Sequence, residues 1–132
     1  MLLPCEIATR SVIPSIRRSL VKILYEEYGV KQARIAKTLG ITQSAVNHYL
    51  REIRGVKIRL EEFEELRNDL ESFAKELIDG GLKTPERIAQ YCGLCNKIRK
   101  MGLMCKLHEN YDPTVSIEEC KICKDPSFCS KS

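Results

Sequence analysis

The stretch QARIAKTLGITQSAVNHY, residues 32–49, constrains the fold of this chain more than any other part of the sequence. Gly40 stands where a left-handed residue ends a helix and turns the chain. Thr42 is a good N-cap, since its hydroxyl can accept a hydrogen bond from the backbone amide of Ser44 or Ala45. The pattern therefore predicts a helix ending over 34–39 and a second over 43–50, a helix-turn-helix. The predicted shared core is Ile35, Ala36, Leu39, Ile41, Val46, Tyr49 and Leu50.

The exposed side of the predicted second helix carries side chains suited to DNA. Gln and Asn can pair bidentately with adenine, Arg with guanine, and Ser or Thr with a base or phosphate. We expect Gln43, Ser44 and Asn47 to reach bases in the major groove, because the N-terminal residues of such a helix lie at the base edges. The predicted DNA-binding residues are Thr42, Gln43, Ser44, Asn47, His48 and Arg51. Of these, Arg51 is expected at a phosphate, and His48 is either a DNA contact or merely solvated. The alternative is a helical hairpin with no role in DNA binding.

Charged residues are unevenly distributed along the chain, and the basic segment coincides with the predicted helix-turn-helix. Residues 1–59 hold eleven Lys and Arg against four Asp and Glu. Residues 60–79 hold two against eight, and residues 80–132 hold nine against six, which leaves a net charge of +4 for the whole chain. A basic surface alone is usually just solvated, but one that coincides with a helix-turn-helix fits phosphate contacts.

The segment before the motif is predicted to complete a three-helix unit. We expect residues 1–13 to be extended or irregular, and a helix to begin at Pro14 and end at Tyr28-Gly29. The predicted inner face is Ile16, Leu20, Ile23 and Leu24, and the other face is Arg17, Arg18 and Lys22. Residues 1–55 are thus a predicted DNA-binding domain. Cys5 is interpreted as a buried structural thiol, with a metal ligand as the alternative.

A long acidic helix is predicted next, over Val56 to Asp79, within a segment assigned to residues 56–80. Its apolar residues step by three, four, three and four, as in the seam between two paired helices: Phe63, Leu66, Leu70, Phe73 and Leu77. This favours a homodimer that pairs through the stripe. One helix-turn-helix covers only a short half-site on DNA, and two-fold pairing of two chains is the common solution. The alternative is that the stripe packs inside one chain.

Residues 81–132 form the predicted cysteine-rich region. Gly80-Gly81 breaks the acidic helix, and Thr84-Pro85-Glu86 begins a further helix that ends near Gly102. The rest of the region has too few apolar residues for a core of its own and needs a cross-link, such as a bound metal or a disulfide, to fold.

Six of the seven cysteines lie between 92 and 129, and they predict a metal site. Two CxxC pairs, Cys92 with Cys95 and Cys120 with Cys123, are separated by 24 residues, and each pair can chelate one ion. The additional candidate ligands are Cys105, Cys129 and, paired with Cys105, His108. Many thiolates favour zinc, copper(I) or iron–sulfur.

The ligand count leaves the metal open but favours an iron–sulfur cluster. Four cysteines suffice for structural zinc, and the two CxxC pairs would supply them, which leaves Cys105 and Cys129 unexplained. A [4Fe–4S] cluster could instead take Cys120, Cys123 and Cys129 with Cys92 or Cys95 as the fourth ligand. Disulfide or thiol redox chemistry without metal is the third alternative.

Composition excludes several other classes of protein. The 132 residues are 43% hydrophobic and 30% charged, as in a soluble globular protein, and no stretch is long and apolar enough to span a membrane. The opening MLLPCEIATR is too short and contains an acid, unlike a signal peptide. We therefore expect a cytoplasmic location, where clustered cysteines more often hold metal than form disulfides. No nucleophile motif, carboxylate pair or phosphate loop predicts an enzyme.

Three stretches, LLPCEIATRSVIPSIR, GITQSAVNHYLR and the cysteine-rich end that starts with CGLC, carry a family resemblance. The chain resembles a family of small archaeal helix-turn-helix transcriptional regulators with a cysteine-rich, metal or iron–sulfur binding C-terminal region. The resemblance implies sequence-specific DNA binding. Residues that match the start of the family's recognition helix are Thr42, Gln43, Ser44 and Asn47, and those that match its cysteine pattern are Cys92, Cys95, Cys105, Cys120 and Cys123. Cys129 departs from that pattern, which leaves the ligand set open.

The expectation is thus an all-α, dimeric transcriptional regulator that binds double-stranded DNA. Its iron–sulfur cluster would sense redox state, oxygen or iron supply. One alternative is a DNA-binding protein or transcription adaptor with a purely structural zinc site of four cysteines. A minor alternative is a thiol–disulfide redox protein.

Overall fold

A computed structural model describes residues 4–54, 58–80 and 83–104, and that part of the chain is mostly helical with no β-strand. The all-α expectation is confirmed for these residues. The helices are α1 (Pro4–Ile7), α2 (Ile13–Lys22), α3 (Gln32–Leu39), α4 (Gln43–Leu50), α5 (Glu64–Ile78) and α6 (Thr84–Lys100). Two π-helical segments, Ala8–Val12 and Ile23–Glu27, and a 3-10 turn, Leu60–Glu62, complete the regular structure. Within the described ranges, no helix is both long and apolar enough to cross a membrane.

The first helical run begins earlier than the sequence predicts. Residues 4–27 are helical without a break, so the expected irregular start is wrong from Pro4 onward. The π-helical segment Ala8–Val12 directly precedes the turn that contains Pro14. A proline inside a helix lacks an amide hydrogen and crowds the carbonyl four residues earlier, and a π-bulge is one way to relieve both problems. The wider turn also allows Ile7 and Val12, five residues apart, to be fully buried together.

The core joins this first run to every later helix. Ile16, Leu20 and Leu24 are buried as predicted, and α2 packs on α4, α5 and α6. The buried apolar residues from α1 to α6 form one continuous cluster. The long N-terminal run is therefore the element around which the others are arranged.

The apolar stripe of α5 packs inside the chain. Leu66, Leu70, Phe73 and Leu77 are all buried, the most exposed at 4%, and Phe63 is half-buried just before the helix begins. The prediction that these residues pair two chains is therefore wrong, because α2 and α6 of the same chain already lie against α5. The helix also begins at Glu64 and not at Val56.

The cysteine-bearing helix α6 lies across α5 and α2. Its predicted start is off by one residue, since Lys83 is the N-cap and its amide donates to Glu86 Oε2 at 2.7 Å. Its predicted end is confirmed by Gly102, whose φ is +78°. Leu94 and Ile98 are buried, and the rings of Phe73 and Tyr91 meet edge to face, with centroids 5.3 Å apart.

A buried charge stands at the centre of α2. The sequence places Arg18 on the exposed face, but its side chain is 0% exposed, which is a correction to that prediction. Its Nη2 donates to both carboxylate oxygens of Glu61, at 2.5 and 2.7 Å, and the Ser19 hydroxyl donates to the same group at 3.3 Å. Burial raises the pKa of Glu61, but hydrogen bonding and charge attraction from Arg18 outweigh it, so the net shift is downward. A buried guanidinium is tolerated only with such a partner.

Glu61→Gln should therefore destabilise the fold more than Arg18→Met. The first substitution leaves a buried charge without its main partner. It should lower the free energy of unfolding by about 2 kcal/mol, after allowance for the partial exposure of Glu61. The second removes the buried charge and leaves a carboxylate that water can reach. It should lower the free energy of unfolding by about 1 kcal/mol or less. Urea unfolding measures both, with exposed Glu62→Gln as the control. An equal loss in the two variants would contradict the expectation.

Candidate nucleic-acid interface

The turn between α3 and α4 has the local structure that its sequence predicts. Gly40 lies in the left-handed region, with φ of +68°, and the amide of Ile41 donates to the carbonyl of Ala36 at 3.0 Å. The Thr42 hydroxyl accepts from the amide of Ala45 at 3.0 Å and so caps α4. Val46 is fully buried in the core. The predicted bounds of α4 are confirmed, and those of α3 extend to Gln32 at its start.

The predicted DNA-binding residues all lie on or beside α4. Thr42, Gln43, Ser44 and Arg51 are exposed, and Asn47 and His48 are half-buried. Asn47 follows Gln43 and Ser44 by about one helical turn and so shares their face. His48 is not merely solvated, because its Nδ1 is shielded from solvent and has no hydrogen-bond partner in the part of the chain that the structure describes. The start of α4 therefore presents a polar surface to solvent.

The surroundings of α4 are basic. Lys31, Arg34 and Lys37 are exposed beside or on α3, and Arg54 is exposed beyond α4. The sequence contains no Asp or Glu from residue 28 to residue 51. Positive charge without interleaved acids favours a polyanionic partner.

The end of α4 is fixed by an acid in an unusual backbone conformation. Glu52 has φ of +57°, its amide donates to the carbonyl of Tyr49, and the amide of Ile53 donates to that of His48 at 2.9 Å. This is a Schellman ending, in which glycine is the usual left-handed residue. A non-glycine residue is strained there.

Ion pairs hold Glu52 in that conformation. Its Oε1 accepts from Lys22 at 2.7 Å and from Arg59 at 3.4 Å, and lies 3.6 Å from Nη1 of Arg18. Hydrogen bonds from Lys22 and then Arg59 lower the pKa of Glu52 to about 2. The sequence gives no signal of this anchor, because Lys22 lies 30 residues before Glu52 and nothing in the spacing of Arg59, seven residues after it, indicates the pairing.

Helix α6 contacts α3 directly. Nη1 of Arg87 donates at 3.0 Å to the backbone carbonyl of Thr38, in the last turn of α3. The last carbonyls of a helix have no partner within it, and a cation there also suits the helix dipole. The helix that carries two cysteines thus stabilises the first helix of the α3–α4 unit.

The metal-site prediction can be followed only at α6. Cys92 is exposed, and Cys95 is half-buried one turn later. Cys105, Cys120, Cys123, Cys129 and His108 lie outside the described residues, as does the side chain of Cys5 in α1. Residues 4–54, 58–80 and 83–104 contain no group of three or more metal-ligating side chains close together. Two thiols one turn apart suit chelation of one ion, so α6 fits half of a site built from four cysteines.

Comparisons with protein-family models, curated proteins and solved structures give no match to this chain. The resemblance to archaeal regulators therefore stays a prediction from sequence, and the function proposed below rests on the residues described above.

The ion pairs of Glu52 predict a loss of stability in acid. Because its pKa is lower in the folded state than its usual 4.5, its contribution is fully present above that pH and is lost as the pH falls toward 2. The free energy of unfolding of Glu52→Gln should therefore lie below that of the wild type near neutral pH, and the gap should close in acid. Urea unfolding across this range measures it, with exposed Glu27→Gln as the control. A gap that is independent of pH would argue against the ion pairs.

Proposed function

We propose that this chain is a sequence-specific DNA-binding transcriptional regulator, without enzymatic activity, whose partner is double-stranded DNA. The observation that carries the proposal is the start of α4, where a threonine-capped helix presents Gln43 and Ser44 to solvent in an acid-free, basic setting. A helix of this kind presents its first residues to base edges when it enters the major groove.

Base recognition is assigned to the first turns of α4. The amides of Gln43 and Asn47 have the donor and acceptor pair that matches the major-groove edge of adenine. Ser44 lies between them and can reach a base or a phosphate. The half-burial of Asn47 restricts its rotamers, which favours a defined contact over a transient one.

Phosphate contacts are assigned to exposed cations on both sides of these residues. Arg34 and Lys37 lie on α3, and Arg51 follows α4. Such contacts position a protein on the duplex without reading its sequence, and each makes the affinity more dependent on salt.

The dimer needs a surface other than the α5 stripe. A regulator of this size covers a short half-site, and two-fold pairing is the common solution. Because the core buries Leu66, Leu70 and Phe73, a homodimer that used them would have to open the chain.

The cysteines are assigned to a metal centre that senses redox state, oxygen or iron supply, with [4Fe–4S] favoured over structural zinc. Cys92 and Cys95 would supply ligands from α6, and the remaining ligands would come from Cys105, Cys120, Cys123 and Cys129. The support for a regulatory role is the contact from Arg87 to Thr38, which links the helix of Cys92 and Cys95 to the α3–α4 unit. When bound, the metal centre would cross-link and stabilise a segment that has few apolar residues.

DNA recognition is tested by single substitutions on α4. Gln43→Ala and Asn47→Ala should each weaken binding to the preferred duplex by about 5- to 100-fold, and should leave binding to unrelated duplexes nearly unchanged. Arg34→Gln should weaken both and lower the salt slope by about one. Fluorescence anisotropy with a duplex selected from a random library measures these effects. Lys100→Gln, an exposed cation on α6, is the control. Equal weakening by all four substitutions would contradict base recognition.

The metal centre is tested by analysis of protein prepared without oxygen. Iron and sulfide in equal amounts, both reduced in Cys92→Ser and Cys95→Ser, would support the cluster, since each thiolate is a ligand. One zinc per chain, with DNA affinity unaffected by mild oxidants, would favour the structural alternative. Cys5→Ser is the matched control and should retain the metal. Metal content unchanged in both α6 variants would contradict the assignment.

A further inference from the structure

A cavity of about 220 Å³ lies between the end of the first helical run and α5. One side is lined by residues at helical spacing from Ser19 to Glu27, and the other by side chains that include Leu70 and Glu71 of α5. By the rise of a helix, the first side is about 10 Å long. None of the residues assigned to DNA or metal belongs to this cavity.

The deepest part of the cavity is largely apolar. Leu70 is 1% exposed, and Ile23 faces the same space and is half-buried. The buried hydroxyl of Ser19 also lines it, but already donates to Glu61 at 3.3 Å. A small-molecule site typically combines such an apolar wall with a few polar groups that orient the ligand. The cavity therefore suits a ligand with an aliphatic part.

Negative charge is in excess around this apolar wall. The charged lining residues are Glu26, Glu27, Glu61 and Glu71, against Lys22 and Arg67. Lys22 and Glu61 already take part in the ion pairs described above. In residues 4–54, 58–80 and 83–104, the side chains of Glu26, Glu27 and Glu71 form no ion pair or hydrogen bond. Three uncommitted carboxylates beside aliphatic side chains match a ligand that is both cationic and aliphatic.

The backbone along the cavity is a π-helical turn, Ile23–Glu27. Such turns are rare and frequently lie at functional sites. The π-helical segment that precedes Pro14 relieves the strain of that proline, but no proline lies in or next to Ile23–Glu27. This turn packs on both α3 and α5, and the amide of Val30 donates to the carbonyl of Leu24 at 2.9 Å just before α3 begins. A ligand in the cavity would therefore contact the segment that leads into α3.

We propose that this cavity binds a linear aliphatic polyamine. The methylene chain would lie against Ile23 and Leu70, and the ammonium groups would donate to Glu26, Glu27 and Glu71. An ammonium group has three donors and no acceptor, which suits carboxylates that lack a partner. A basic amino acid has similar ammonium groups, but its own carboxylate would need Arg67 as a partner. The two ligands therefore predict opposite effects of replacing Arg67.

The test measures the thermal unfolding midpoint of the full chain, without DNA, as spermidine is added. Magnesium chloride, butylamine and lysine at equal ionic strength and pH are the comparisons. Spermidine should raise the midpoint saturably, by about 5 °C at roughly tenfold excess over its Kd. The comparison solutes should raise it less, because magnesium lacks the aliphatic chain, butylamine has a single ammonium group, and lysine carries a carboxylate.

Four variants locate the site. Glu26→Gln and Glu71→Gln should each weaken the apparent affinity for spermidine by about 3- to 10-fold, since each removes a charged acceptor. Arg67→Gln should strengthen it by about 2-fold, because a like charge is removed. Glu64→Gln, an exposed carboxylate on α5 outside the cavity, is the matched control and should leave the affinity unchanged. Calorimetric titration replaces unfolding for any variant that folds poorly.

Any of four results would overturn the proposal. An equal rise in magnesium chloride marks a general effect of cations. Equal weakening in Glu64→Gln and Glu71→Gln places spermidine on the acidic surface at large. A larger rise with lysine, reduced in Arg67→Gln, identifies an amino acid as the ligand. No rise with spermidine in the wild type excludes the site. DNA binding is measured separately, so this proposal and the proposed function can fail independently.

Discussion

The hydrogen-bonded ion pair between Arg18 and Glu61 is the interaction on which the rest of the structure depends. A guanidinium with no exposed surface must keep a carboxylate beside it, which fixes the 3-10 turn Leu60–Glu62 against α2. The start of α5 follows directly from that turn. Nη1 of the same side chain lies near Glu52, the left-handed residue that ends α4. One buried charge thus sets both the end of the candidate recognition helix and the beginning of the helix that covers the core.

Local chemistry made part of the fold predictable. Gly40 and Thr42 fix the turn and the start of α4 through backbone conformation and capping, which act over a few residues. The first helical run was mispredicted at its start, because proline favours the first turn of a helix, whereas here the wider Ala8–Val12 segment carries the helix past Pro14. The stripe on α5 shows a different limit. Its spacing predicts a partner helix, but it does not specify whether that helix belongs to the same chain.

The residues of the candidate sites likewise differ in how far the sequence predicts them. The exposure of Gln43, Ser44 and Arg51 follows from the amphipathic pattern of α4, so the sequence was enough to select them. The ion pairs that hold Glu52 at the end of α4 were not predictable, because Arg18 and Lys22 are far from it along the chain and look like ordinary surface cations in the sequence. Burial of a long cationic side chain depends on which elements pack over it, and this depends on the complete fold.

The contact between Arg87 and Thr38 has a mechanical consequence. Cys92 and Cys95 follow Arg87 on a single uninterrupted helix, so by the rise of an α-helix they lie about 8 and 12 Å from it along the axis. Over that length α6 is continuous, so the two thiols and the bond to the end of α3 belong to one helix. A tilt imposed at the cysteines would therefore reach Thr38 without an intervening loop to absorb it.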